Sequence, residues 1–294
     1  MENSSPTIQY LLSGLSNGAI YALIGFGFAI IYNATGIINF AQGEFVMLGG
    51  MLSIVLLGAL QLPLLPAIAL AVAVATGIGI VFERLAIRPL KNATPLGMVI
   101  ITIGASILIR GITMLLLGKD THALPAFSGN DPLYLLGATL LPQNLWIFGL
   151  TAAVILASKL FFHYSIFGKA MRACAFNGQA ASLVGISVKS MVLLSFVISA
   201  AIGSLAGIII APLTMTSYDV GIMLGLKGFC AAIIGGMGSG LGTVAGGLLL
   251  GILESLGAGF LSAGYKDAIA FIILLCILFF RPQGIFGAKE TERV

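Results

Sequence analysis

Eight apolar stretches dominate the chain, at residues 8–31, 44–60, 64–82, 96–117, 144–162, 190–211, 241–260 and 266–280. Most approach the ~20 residues that a helix needs to cross about 30 Å of hydrocarbon. A ninth, 220–239, is apolar enough to enter a membrane but carries Lys227 and six glycines. Only 8% of the 294 residues are charged, against about 25% in soluble domains, so a water-coated surface is excluded. The runs do not alternate in period two, which excludes barrel strands. The expected fold is an all-α membrane protein: one transmembrane domain over 1–294, a polytopic bundle of about 8 (±1) helices.

Lys and Arg give the orientation, since short cytoplasmic loops are enriched in them. Arg84, Arg88 and Lys91 follow the third stretch; Lys159, Lys169, Arg172 and Lys189 flank the loop after the fifth; Arg281, Lys289 and Arg293 form the tail. These segments belong inside, and 118–143, with Lys119 against Asp120 and Asp131, belongs outside. Parity demands an odd number of crossings between Ala211 and the tail, so 220–239 either crosses or dips in and returns. Three crossings before Arg84 place Met1 outside, unless a break in the first pair reverses it. The first residues carry no Lys or Arg, unlike a cleavable signal peptide, so the first stretch is expected to stay in the membrane. The net charge of +4 is small, and ten of the fourteen Lys and Arg fall in the three inner segments, so it does not read as nucleic-acid binding.

Two interruptions stand out. Residues 33–44 separate apolar runs with polar groups and no charge before Glu44, and 235–242 is a glycine-rich run. Interrupted hydrophobic segments in corresponding places of two halves point to a transport pathway, and non-helical backbone is tolerated at membrane depth only where protein or a wet cavity satisfies it. An ordinary surface turn at 33–42 is the alternative. The pairs Gly14/Gly18, Gly203/Gly207, Gly236/Gly240, Gly242/Gly246 and Gly247/Gly251 read as close helix packing.

Catalytic chemistry is missing. No Walker-type run occurs, and Gly240-Leu-Gly242 lies in an apolar span without the acidic residue that a dinucleotide fingerprint requires. Three distant cysteines and the separate His122 and His163 offer neither a disulfide framework nor a metal site. Glu44, Arg110, Lys227 and Glu254 lie in predicted spans, where a charge costs about 2.5–3.5 kcal/mol and seeks a partner or a wet cavity. Arg110 is expected to pair with Glu44 or Glu254, or to snorkel outward, rather than to bind substrate, because a fixed charge in the path would trap an ion.

The inner segment 163–189 is too polar to span yet rich in Ala, Leu, Val and Phe. Residues 179–184 suit a short helix with Ala180, Leu183 and Val184 on one face and Gly185 ending it. That face reads as a docking surface for another subunit, with a helix lying on lipid headgroups as the alternative.

The run 15–27, the segment 36–49 with Asn39-Phe-Ala-Gln-Gly-Glu44 at its centre, and the segments 168–185, 225–239, 246–254 and 280–287 resemble the LivH-type permease of branched-chain amino acid ABC transporters. The resemblance covers nearly the whole chain. It implies a multi-pass permease subunit of the bacterial inner membrane that imports branched-chain amino acids, and not an enzyme. Urea, amides or another small amino acid are the alternative cargo, and a stand-alone channel or secondary transporter the alternative mechanism. The implied partners are a second, LivM-like permease, two cytoplasmic ATPases that carry the ATP and magnesium, and a periplasmic amino-acid-binding protein; this chain itself is expected to bind no cofactor. Ala180, Ala181, Leu183, Val184 and Gly185 are the implied coupling helix. Family loops often place an acidic residue near its start, where this chain has Asn177 and Gln179. Asn39, Gln42 and Glu44 are the candidates for polar groups along the substrate path.

Overall fold

The computed structural model describes residues 6–90, 94–135 and 137–287. Eleven α-helices follow one another among the described residues: α1 (Pro6–Thr35), α2 (Gln42–Gly58), α3 (Leu64–Phe82), α4 (Pro95–Leu117), α5 (Pro142–Tyr164), α6 (Ile166–Phe176), α7 (Gly178–Leu183), α8 (Val188–Thr214), α9 (Val220–Gly235), α10 (Gly240–Phe260) and α11 (Lys266–Phe280). Seven segments are long and apolar enough to cross a membrane, and α2 and α9 are shorter apolar helices. The bundle is the expected polytopic helical membrane protein, with one addition. The loop between α4 and α5 holds a small antiparallel hairpin, β1 (Leu133–Leu135) with β2 (Ala138–Leu140), too short to leave a periodic trace in the sequence.

The helix ends sort into two levels. At one, Asn33 of α1 donates to Gly238 O across the α9–α10 turn, while the tail amides of Ile285 and Phe286 donate to Ile234 and Gly235 O. Here too lie the end of α3, α6 and α7, and with them Arg84, Arg88, Lys169, Arg172 and Arg281; we call it the basic end. At the other, Gln9 of α1 exchanges two hydrogen bonds with Thr139 of β2, and His122 pairs with Thr216 just before α9. The chain descends from the His122–Thr216 level to α9, whose first turn packs on Gly43, and α9 ends against the tail, so residues 216–235 together pass from one end to the other. This settles the parity at nine traverses, counting α2 and α9 with the seven long segments. At about 1.5 Å per residue α9 is only ~24 Å long, so the non-helical residues around it complete the passage.

Small residues decide which helices meet. A Cβ on Gly14 would lie 2.7 Å from Ile252 Cα, and one on Gly18 2.8 Å from Leu248 Cα; opposite them, one on Gly251 would collide with the Gly18 backbone. The Gly14/Gly18 and Gly247/Gly251 pairs thus face each other across the antiparallel α1–α10 contact, where close backbone approach rather than burial drives association. Gly207 stands likewise against Val46, and Gly246 against Ala231. α1, buried along most of its length, becomes the axis of the bundle, while α4, α5 and α11 expose much of their surface.

Candidate functional site

The two interruptions differ in depth. At 236–239 the chain makes a turn at the basic end: Gly236 adopts φ +98, and the Ser239 hydroxyl caps α10 by accepting from Gly242 N. The first interruption climbs back into the bundle. Thr35 Oγ1 donates to Ile31 O and accepts from Ile37 N, Gly36 turns with φ +70, Asn39 Oδ1 accepts from Ala41 N, and Thr102 Oγ1 of α4 accepts from Phe40 N. Each of these contacts satisfies a backbone group that the missing helix would have paired. α2 therefore starts deep. Gln42 Nε2 donates to Ser199 O at 3.2 Å, and the Ser199 hydroxyl lies 2.6 Å from Gln42 Oε1 and 2.9 Å from Gly27 O. Ser199 is about 16 Å along α8 from its basic end, and a Cβ on Gly27 would collide with the Gln42 amide. The interruption is a membrane-depth feature, not a surface turn.

The three path candidates meet different fates. Asn39 and Gln42 are fully buried; Asn39 Oδ1 and the Gln42 amide make these local and interhelical bonds while Asn39 Nδ2 is left without a hydrogen-bond partner, and neither residue lines the cavity that Glu44 lines. Glu44 Oε1 accepts from Ser106 of α4 at 2.7 Å, while its Oε2 is buried without a hydrogen-bond partner. A cavity of about 210 Å³ is lined here by Phe28, Phe40, Glu44, Ser106, Arg110 and Leu226, among others.

The expected Arg110–Glu254 pair is not formed. Arg110 lines the Glu44 cavity, whereas Glu254 meets Lys227 of α9 at 2.9 Å, Lys266 at 3.4 Å and the Tyr21 hydroxyl at 3.1 Å. Lys227 also binds Asp267 at 2.6 Å and sits 5.6 Å from the Tyr21 ring centroid. The physical reason is register. Gly246 packs on Ala231 and Gly242 on Gly235, which puts Lys227 about one helical turn from Glu254 in the α9–α10 hairpin, within reach of a lysine stem. α4 lies on another side of the bundle. The glycine spacing carried that signal, and sequence reasoning did not use it.

At the basic end, α6 is an additional amphipathic helix that buries Gly168, Met171 and Cys174; a Cβ on Gly168 would collide with Phe161 O. α7 begins one residue earlier than expected. Asn177 caps it, its Oδ1 accepting from Ala180 N at 2.9 Å, so an amide supplies the acceptor that an acidic residue would supply. Gly185, at φ +87, ends it. Leu183 and Val184 are 87% and 77% exposed, and Ala180 is exposed beside them. Ala181 departs from the expectation: it is buried in the core, because one face of so short a helix must pack on its own chain.

A family described as "branched-chain amino acid transport system / permease component" matches residues 10–278. The chain is 36% identical over 303 residues to the high-affinity branched-chain amino acid transport system permease protein LivH of Escherichia coli (strain K12), covering 98% of this chain and 97% of that one. It is 35% identical over 300 residues to the corresponding permease protein BraD of Pseudomonas aeruginosa, covering 98% of each. Among solved structures, the chain resembles PsaBC from Streptococcus pneumoniae in complex with Fab, with a TM-score of 0.52 at 14% identity over 93% of this chain and 92% of that one, a likeness of fold.

Proposed function

The chain belongs to the branched-chain amino acid permease family, and from that premise we propose that it is the membrane-spanning subunit of an ATP-driven importer of branched-chain amino acids in the cytoplasmic membrane. The whole chain acts as one transmembrane unit whose basic end faces the cytoplasm. It catalyses no reaction and binds no cofactor: ATP and magnesium belong to two ATPase partners, the substrate arrives from a periplasmic binding protein, and a second, related permease completes the path.

The observation that carries this reading beyond the family is the tip at the basic end. α7 holds Leu183 and Val184 out from the bundle with most of their surface uncovered, and the residues 163–189 around it form a coupling loop. Apolar side chains held out by a capped helix, beyond the membrane helices, find their burial in a groove of another subunit. Movement of an ATPase pair gripping α7 passes directly to α8, which follows after Gly185. The break at 36–41 places Glu44 and its cavity at mid-depth, where the polar ends of an amino acid need partners while its side chain needs apolar walls.

The test is reconstitution. The chain is co-expressed with its permease and ATPase partners, purified, and placed in proteoliposomes with the binding protein outside and ATP within. Uptake of L-leucine that requires ATP and the binding protein is expected, with urea and short amides as comparison cargo. Leucine uptake by the chain alone, without ATP, would overturn the proposal.

A further inference from the structure

Midway through the bundle, an acidic and a basic side chain, Glu44 and Arg110, line a single cavity. Ser106, which donates to Glu44 Oε1, lies about 16 Å along α4, close to half of its ~34 Å length. Glu44 is 1% exposed, and its Oε2 is buried without a hydrogen-bond partner. Arg110, about one turn further along α4, lines the same cavity and forms no salt bridge among the described residues. A buried carboxyl oxygen left unbonded is costly, and the cavity that Glu44 lines has room for a guest that supplies a donor to that carboxyl group.

The walls define that guest. Phe28, Phe40 and Leu226 are apolar, and the cavity of about 210 Å³ is smaller than the ~300–1,000 Å³ of drug-sized pockets. That suits a molecule of about eight or nine heavy atoms. The rim residues Ile107 and Ile222 are exposed, so the cavity opens on the flank of the bundle, where a second permease would stand. Hydrocarbon on that flank is disfavoured by Arg110, since a charge facing lipid at this depth is costly. A lone cation would trap an ion; opposed by Glu44, it instead fits a molecule carrying both charges.

We propose that this cavity is a transient binding station for a zwitterionic aliphatic amino acid, with its ammonium on Glu44, its carboxylate on Arg110 and its side chain against Phe28, Phe40 and Leu226. The proposal rests on the cargo reading above.

Equilibrium dialysis of radiolabelled L-leucine against the purified permease–ATPase complex, without binding protein, tests it. Competitors are 4-methylpentanoate, which lacks the ammonium, and isoamylamine, which lacks the carboxylate. In the parent complex leucine outcompetes both. In Glu44→Gln leucine binding weakens roughly ten- to a hundredfold, the loss of one charge-assisted bond, and its advantage over 4-methylpentanoate disappears while that over isoamylamine stays. Arg110→Gln gives the mirror image. A merely structural role would not move the two preferences in opposite ways. Should Glu44→Gln fail to assemble, Ile107→Trp at the exposed rim fills the cavity and is expected to abolish binding. No saturable leucine binding to the parent complex, or preferences unchanged in both charge variants, overturns the station. If reconstituted uptake of leucine persists in that case, only the station falls; absence of uptake removes the cargo reading itself.

Discussion

Replacing Lys227 with Met removes one ammonium from a cluster that ties four helices together. Its Nζ lies 2.9 Å from Glu254 Oε1, and neither side chain is more than 6% exposed. At an effective dielectric constant near 20 the gross attraction at that distance is about 6 kcal/mol, most of it cancelled by desolvation, whereas removing one partner of a buried pair costs about 3–5 kcal/mol because the other charge stays buried. Glu254 keeps the Tyr21 hydroxyl and Lys266. Lys266 is 41% exposed, so solvent screening limits its contribution to about 1 kcal/mol. The net loss is then about 2–3 kcal/mol, roughly 5–10 °C in melting temperature for a chain of this size. Thermal scans of purified protein at a fixed heating rate, read by the fraction still monodisperse, measure it. Lys227→Met/Glu254→Met removes both buried charges and is expected to recover most of the loss. A single variant melting within about 1 °C of the parent, or a double variant no better than the single, would refute the reasoning.

Three further expectations follow from the same geometry. Leu183→Asp is expected to leave the fold intact and to separate ATP hydrolysis from transport in the reconstituted complex, whereas Ala181→Asp places a charge in the core and lowers expression and melting temperature; similar melting of the two variants would contradict the assigned faces of α7. Gly207→Ala drives a methyl into Val46 O and should lower the melting temperature markedly, while Gly104→Ala, with open space around its Cβ, should leave it within about 1 °C. Burial pushes the Cys174 thiol up, so its alkylation at pH 8 should lag well behind that of the denatured chain and accelerate as pH rises; equal rates in folded and denatured protein would count against the buried placement of α6.

Much of this architecture is written along the chain, because a membrane acts on segments one at a time. Whether 64–82 or 266–280 inserts depends on its own length and apolarity, and which end faces inward depends on charges beside it. Helix limits such as α3 and α11 therefore match the expected stretches to the residue. The short helix α7 was legible for a similar reason, since Gly185 acts within a turn of it. Other features belong to the packed molecule. That 36–41 rises to mid-depth while 236–239 remains at the basic end follows from Gln42 reaching Ser199, far away in the sequence. Glu254 takes Lys227 rather than Arg110, and Ala181 turns inward, because glycine contacts set which helix faces which and in what register. Such choices rest on close fit between distant segments, and no local propensity encodes them.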